Sequence, residues 1–198
     1  MTVTRGFRGR NDPRAAGLPP GQHRTDGFPV LSTGPTHAMS TDSWTFSITN
    51  EVGGTRQWSW AEMMRLPIEE VTTDIHCVTR WSKLGTTWKG IALESFLEHV
   101  EANGPYAMVH AHGGYTTNLP LDDLLGGRAW IAFEFDGQKL AAEHGGPARL
   151  LVPHLYFWKS AKWVKGITLH KEDRPGFWER NGYHNYGDPW REERHTHD

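Results

Sequence analysis

Residues 130–167 read WIAFEFDGQKLAAEHGGPARLLVPHLYFWKSAKWVKGI. The opening WIAFEF is an alternating run with strand character, and Asp136-Gly137 suits a type I′ turn. QKL then returns as the second strand of a hairpin. ARLLVPHL and the run AKWVKGITLHKED, which extends past Ile167, read as two further strands. The same stretch gathers His144, Arg149, Lys159, Ser160, Lys162 and Lys165, interleaved with Trp158 and Trp163. Such a charge run is either a solvated rim beside a strand or an anion-binding loop. In the second case Lys and Arg neutralise a phosphate, Ser160 donates to it, and Gly145-Gly146 permits close backbone approach.

Working outward, WTFSITN (44–50) places Trp44, Phe46 and Ile48 on one strand face. Ser59 and Glu62 form a capping box that predicts a short helix over about 60–65, ended by Pro67. EEVTTDI (69–75) is β-branched and predicts a strand that delivers Cys77 at its end, ahead of a glycine-bearing loop, KLGTTWKG. A helix is expected over about 93–102, a strand over YAMVHAH (106–112), and a short helix in LPLDDLLGG. The pattern predicts an α+β domain: a mixed, largely antiparallel β-sheet core with short helices. The expected organisation is an extended arm over 1–26, a catalytic domain over 27–172, and a tail over 173–198 that wraps the surface.

Bulk properties narrow the function. The 198-residue chain carries a formal charge of −2 and 37% apolar residues. It has no global basic field to attract nucleic acid. No run approaches the about 18 apolar residues that span a bilayer. The N-terminal arginines are not followed by an apolar stretch, so a cytoplasmic location is expected.

Cys77 is the only cysteine among twelve histidines and ten tryptophans. One thiol makes neither an internal disulfide nor a Cys-rich zinc cage. It is either an inert core residue, or a nucleophile or soft metal ligand whose pKa His76 and Arg80 lower. His110 and His112 alternate on the expected strand, a possible metal half-site or merely an exposed edge. Tyr115 follows two glycines and is placed to present its hydroxyl to a cleft.

Taken in order, HCVTRWS at Cys77, GYTTNLPL at Tyr115 and the stretch 130–167 resemble the sulfite-oxidase superfamily of molybdopterin-dependent oxidoreductases, in its short, haem-free members. The resemblance runs from LPPGQ to HKED. It implies that Cys77 ligates molybdenum and that Tyr115 sits near the reacting group as a donor or proton relay. It also implies that His144 and Arg149 bind the pterin and its phosphate. Ser160 and Lys162, with the backbone around Lys159 and Ala161, would hold the phosphate end, and the arm HRTDGFPVLSTGPT would pass over the pterin. The implied reaction is a two-electron oxo transfer, with electrons exchanged with a separate partner protein. Sulfite oxidases proper carry paired arginines after the cysteine, whereas here Arg80 is followed by Trp81, with Lys83 close by. A neutral or singly charged S-, N- or C-oxide is therefore expected to suit the site at least as well as sulfite. Two other readings are a His-based metal-dependent hydrolase or oxygenase, using His76, His110, His112 and His144, and a non-catalytic ligand-binding scaffold. The first lacks a tight ligand motif such as H-E-x-x-H, and the second sits poorly with Cys77 and the phosphate clamp.

Overall fold

A computed structural model describes residues 17–102 and 104–198; the first 16 residues of the expected arm lie outside them. The elements in chain order are β1 (His23–Arg24), β2 (Thr45–Thr49), β3 (Thr55–Ser59), α1 (Trp60–Met63), β4 (Glu69–His76), β5 (Trp81–Ala92) and α2 (Leu93–Leu97). Next come β6 (Tyr106–Ala111), β7 (Thr116–Pro120), β8 (Trp130–Phe135), β9 (Gln138–Lys139), β10 (Arg149–Leu151), β11 (Val164–His170) and α3 (Phe177–Arg180). One sheet runs β1-β5-β8-β10, with β4 also on β5 and β9 also on β8. The other runs β3-β2-β11-β6-β7. Among the described residues only β1–β5 and β2–β11 are parallel pairs, so the sheets are mixed and largely antiparallel, as expected.

The main core fills the space between the sheets. Phe46, Ile48, Val109 and Ile167 from one sheet meet Ile91, Ile131, Phe133 and Leu150 from the other. The residues between these on the second sheet are not solvent-facing. Trp130, Ala132, Ala92 and Leu151 belong to a second cluster with Cys77, Trp81, Trp88 and Phe157. β8 is thus buried on both faces, which is why WIAF is apolar throughout. This second cluster forms the floor of the site.

The capping box forms as predicted: the Ser59 hydroxyl accepts from the Glu62 amide, and the Glu62 carboxylate accepts from the Ser59 amide. Several boundaries differ from expectation. KLGTTWKG is not a loop but part of the twelve-residue strand β5, which pairs with β4 along most of its length. The helix expected over 93–102 stops at Leu97, because the amides of His99 and Val100 bond three residues back and tighten the chain. The strand in ARLLVPHL ends at Leu151, shortly before Pro153, which has no amide to continue a ladder. β6 ends at Ala111, so His112 opens a 3-10 turn instead of continuing the strand. LPLDDLLGG forms a 3-10 turn over Leu121–Leu124.

Candidate active site

Cys77 begins the turn that joins β4 to β5. Its amide donates to the Trp81 carbonyl (2.9 Å) and its carbonyl accepts from the Arg80 amide (3.0 Å). Arg80 adopts φ +76°, a strained conformation for a non-glycine residue. Both ends of the described chain hold this turn. Gln22 Nε2 donates to the Cys77 and Trp81 carbonyls and to Ser82 Oγ, each at 3.1 Å. Arg194 Nη1 donates to the Val78 carbonyl (2.8 Å), and its Nη2 to the Pro20 carbonyl (2.9 Å) and Gln22 Oε1 (3.2 Å).

Cys77 lines a cavity of about 330 Å³. Tyr115, Arg149, Ser160, Ala161 and Lys162 line it as well, as do Phe28, Trp81, Trp158 and Trp163. Residues separated by more than eighty positions in sequence thus share one wall. Burial pushes the Cys77 thiol up, opposed by a hydrogen bond from Thr79 Oγ1 (3.1 Å) and the charge of Arg194. This corrects the expectation that His76 and Arg80 lower it. His76 is itself kept neutral by burial and bonds Ser82 Oγ through Nδ1 (2.8 Å). Arg80 is exposed and does not line the cavity.

Arg149 carries the electrostatic character of the pocket. It is 1% exposed, lies 4.0 Å from the Phe157 ring centroid, and has no carboxylate partner among the described residues. Its Nη1 and Nη2 donate to the carbonyls of His144 (2.8 Å) and Ser160 (2.6 Å), and burial lowers its pKa to about 9. Lys162 Nζ donates to the Glu143 carbonyl (2.6 Å) and Ser32 Oγ (3.0 Å). Burial and then the Arg149 charge bring it down to about 8. Two cations in a mostly apolar pocket, with no salt-bridged carboxylate among the described residues, are costly unless an anion joins them. Ser160 Oγ accepts the Val152 amide (2.8 Å), leaving its proton to donate. Gly145 (φ +106°) lets the loop close on this cluster, since a Cβ there would stand 2.9 Å from Lys162 Cα.

Of the other expected site residues, Tyr115 lines the cavity and the side chains of Lys159 and His144 do not; the expectation for Lys159 concerned its backbone. The Lys159 side chain is fully buried away from the cavity, bonded to Glu179 Oε1 (2.7 Å) and to the carbonyls of Asn118 (2.8 Å) and Asn185 (2.7 Å). It anchors the tail, because Glu179 also accepts from Thr117 Oγ1 (2.8 Å) and Trp158 Nε1 (3.0 Å). His144 stacks on Phe28 (3.8 Å) behind the wall, with Nδ1 buried and unpartnered. Tyr115 lines the cavity, but its hydroxyl donates to the Trp158 carbonyl (2.6 Å). Reading the sequence missed Trp178 and Tyr183, which the tail contributes to the wall; the aperiodic tail gave no local signal for them.

His76, His110, His112 and His144 do not converge. Among the described residues, no group of three or more His, Cys, Asp or Glu side chains is placed to hold a metal ion. One soft thiol, a pair of cations without a salt-bridged carboxylate, a free hydroxyl donor and unpartnered nitrogens on His144 and Trp81 instead suit a bulky anionic cofactor that brings further metal ligands with it.

The family described as oxidoreductase molybdopterin binding domain matches residues 33–178. The chain belongs to that family. As a molybdopterin-binding oxidoreductase of the sulfite-oxidase-like class, it is 43% identical over 192 residues to an uncharacterized oxidoreductase, YuiH, of Bacillus subtilis (strain 168). That alignment covers 96% of this chain and 97% of YuiH. It is 25% identical over 181 residues to the protein-methionine-sulfoxide reductase catalytic subunit MsrP of Pseudomonas syringae pv. tomato (strain ATCC BAA-871 / DC3000). There it covers 81% of this chain but spans only about half, 52%, of the relative's length. The sulfane dehydrogenase SoxCD from Paracoccus pantotrophus shares the fold, with a TM-score of 0.62 at 18% identity over 70% of this chain and 41% of its own. Within the described residues, no helix of this molybdopterin-binding protein is long and apolar enough to cross a membrane.

Proposed function

We propose that the chain catalyses two-electron oxo transfer on a small neutral or singly charged oxide, best a sulfoxide. The observation that carries this reading is the buried Arg149 guanidinium, without a counter-charge, in the cavity that Cys77 also lines. The molybdopterin, when bound, supplies the redox chemistry and the further sulfur ligands. Arg149, Lys162 and Ser160 would hold its phosphate, and the Cys77 sulfur would be the protein's ligand to the metal. The aromatic wall presents few polar groups to the reacting atoms. Reduction of a sulfoxide consumes two electrons and two protons and yields a sulfide and water. The electrons come from a separate carrier protein, and the proposal places no haem in this chain. A reducing, cytoplasmic compartment suits the free thiol.

Support for an oxide over the sulfite dianion comes from Arg80. The one arginine of the Cys77 turn does not line the cavity, and Val78 and Trp81 beside the sulfur are uncharged. The deciding measurement is metal and pterin content of protein from a host that makes the cofactor, with turnover of sulfoxides and of sulfite by artificial electron carriers. About one molybdenum per chain with sulfoxide reduction is expected. Iron or zinc without pterin overturns the reading. Arg149→Met is expected to reduce pterin occupancy about tenfold or more, the effect of losing a charge-assisted hydrogen bond.

A second prediction concerns pH. Below about 8 Lys162 is charged and adds to the field of Arg149; above it the charge is lost. Sulfate stays a dianion across this range, so its affinity for the cofactor-free protein should fall about tenfold as pH rises through the Lys162 value of about 8, and fall further as the Arg149 value of about 9 is approached. A flat titration would remove Lys162 from the anion site.

A further inference from the structure

Two tyrosines line the cavity, and their hydroxyls are not equivalent. Tyr115 donates its proton to the Trp158 carbonyl at 2.6 Å. Tyr183 lies beyond the 33–178 span, and its hydroxyl makes no hydrogen bond among the described residues. Its ring is held in place on both sides. It stacks on Trp178 (4.7 Å, 11° between planes) and meets Trp158 edge-on (5.0 Å, 69°). Trp158 is in turn pinned by Glu179 Oε1 and packs so tightly on Gly187 that a Cβ there would lie 2.7 Å from the indole. Burial raises the Tyr183 pKa and keeps its phenol protonated. Tyr183 thus brings an uncommitted hydroxyl to the cavity that Cys77 also lines, whereas that of Tyr115 is committed.

We propose that the tail builds a substrate subsite next to Cys77, in which the Tyr183 hydroxyl donates to the oxygen of an uncharged sulfoxide and Trp158 and Trp178 pack against the groups on its sulfur. The proposal rests on the reading of the cavity as the molybdopterin pocket. Its chemistry follows from the wall: aromatic faces favour sulfur and apolar substituents, and a rigid phenol gives one directed hydrogen bond. The charged groups that line the cavity, Arg149 and Lys162, are assigned to the phosphate, so a dianionic substrate finds no separate cation at the sulfur.

The test uses the cofactor-loaded enzyme and two ligands of one shape, methyl phenyl sulfoxide and methyl phenyl sulfide, titrated by ligand-observed NMR without reductant. Tyr183→Phe keeps the ring stack and removes only the donor. It is expected to weaken sulfoxide binding about tenfold, the worth of one hydrogen bond, and to leave sulfide binding unchanged. Trp178→Ala is expected to weaken both. Equal sulfoxide binding by wild type and Tyr183→Phe overturns the proposal, and so does parallel loss of both ligands in Tyr183→Phe, which would mark a structural role. No sulfoxide binding by wild type overturns it too. Turnover with reduced viologen judges the other reading separately: sulfoxide that binds through Tyr183 but is never reduced leaves the subsite standing and removes the proposed function. If turnover occurs, Tyr183→Phe is expected to raise KM about tenfold with little change in kcat.

Discussion

Cys77→Ser is expected to cut turnover by at least about 10³-fold, roughly 4 kcal/mol of barrier, while most of the pterin stays bound. Serine keeps the size of the side chain but not its softness, and its hydroxyl does not ionise at working pH, so it cannot replace a thiolate as ligand. In the proposed reading the cofactor's anionic end is held elsewhere, by Arg149, Lys162 and Ser160, which line the cavity from β10 and the loop before β11. The turn itself should survive, because its hydrogen bonds to Gln22 and Arg194 run through the backbone carbonyls of Cys77 and Val78, not through the sulfur. Steady-state sulfoxide reduction, paired with pterin fluorescence released by acid, checks both halves. Turnover near wild type would show that Cys77 does not hold the metal.

Glu179→Gln is expected to destabilise the protein by about 3–5 kcal/mol, the cost of stranding a buried charge. Lys159 and Glu179 side chains are each about 1% exposed and meet at 2.7 Å. Burial pulls the Lys159 pKa down and Glu179 opposes that pull, so removing the carboxylate leaves the ammonium with neutral acceptors only. The amide of Gln still accepts from Trp158, so the loss reports mainly on charge. Urea unfolding should show a lower midpoint with an unchanged slope. A change below about 1 kcal/mol, the range of exposed pairs, would mean that water reaches the pair.

These two variants separate what could be read along the chain from what could not. Cys77 was legible because it is single and follows a β-branched strand, and 130–167 because its turn and cation pattern are local. Lys159 and Lys162 lie three positions apart and carry the same charge, yet one anchors the tail and the other lines the pocket. Nothing in KSAK distinguishes them. β5 was misread because Gly85 and Gly90 resemble loop punctuation, while its strand state is set by pairing with β4 and β8 on either side. The tail was illegible for a related reason. Glu179 and Arg194 are held by Lys159, Thr117, Val78 and Gln22, partners far away in sequence that impose no period.

By itself the sequence determined the alternation of short strands and turns, the single thiol at Cys77 and the clustering of cations over 149–162. These depend on local backbone preference and on side-chain chemistry, which neighbouring residues express directly. Only the tertiary structure decided that Arg149 stands without a counter-charge, that the Tyr115 proton is committed and that Tyr183 reaches the same cavity. Those facts depend on burial and on which distant groups meet, and a hydrogen bond or an unpaired charge exists only once the chain has closed around it.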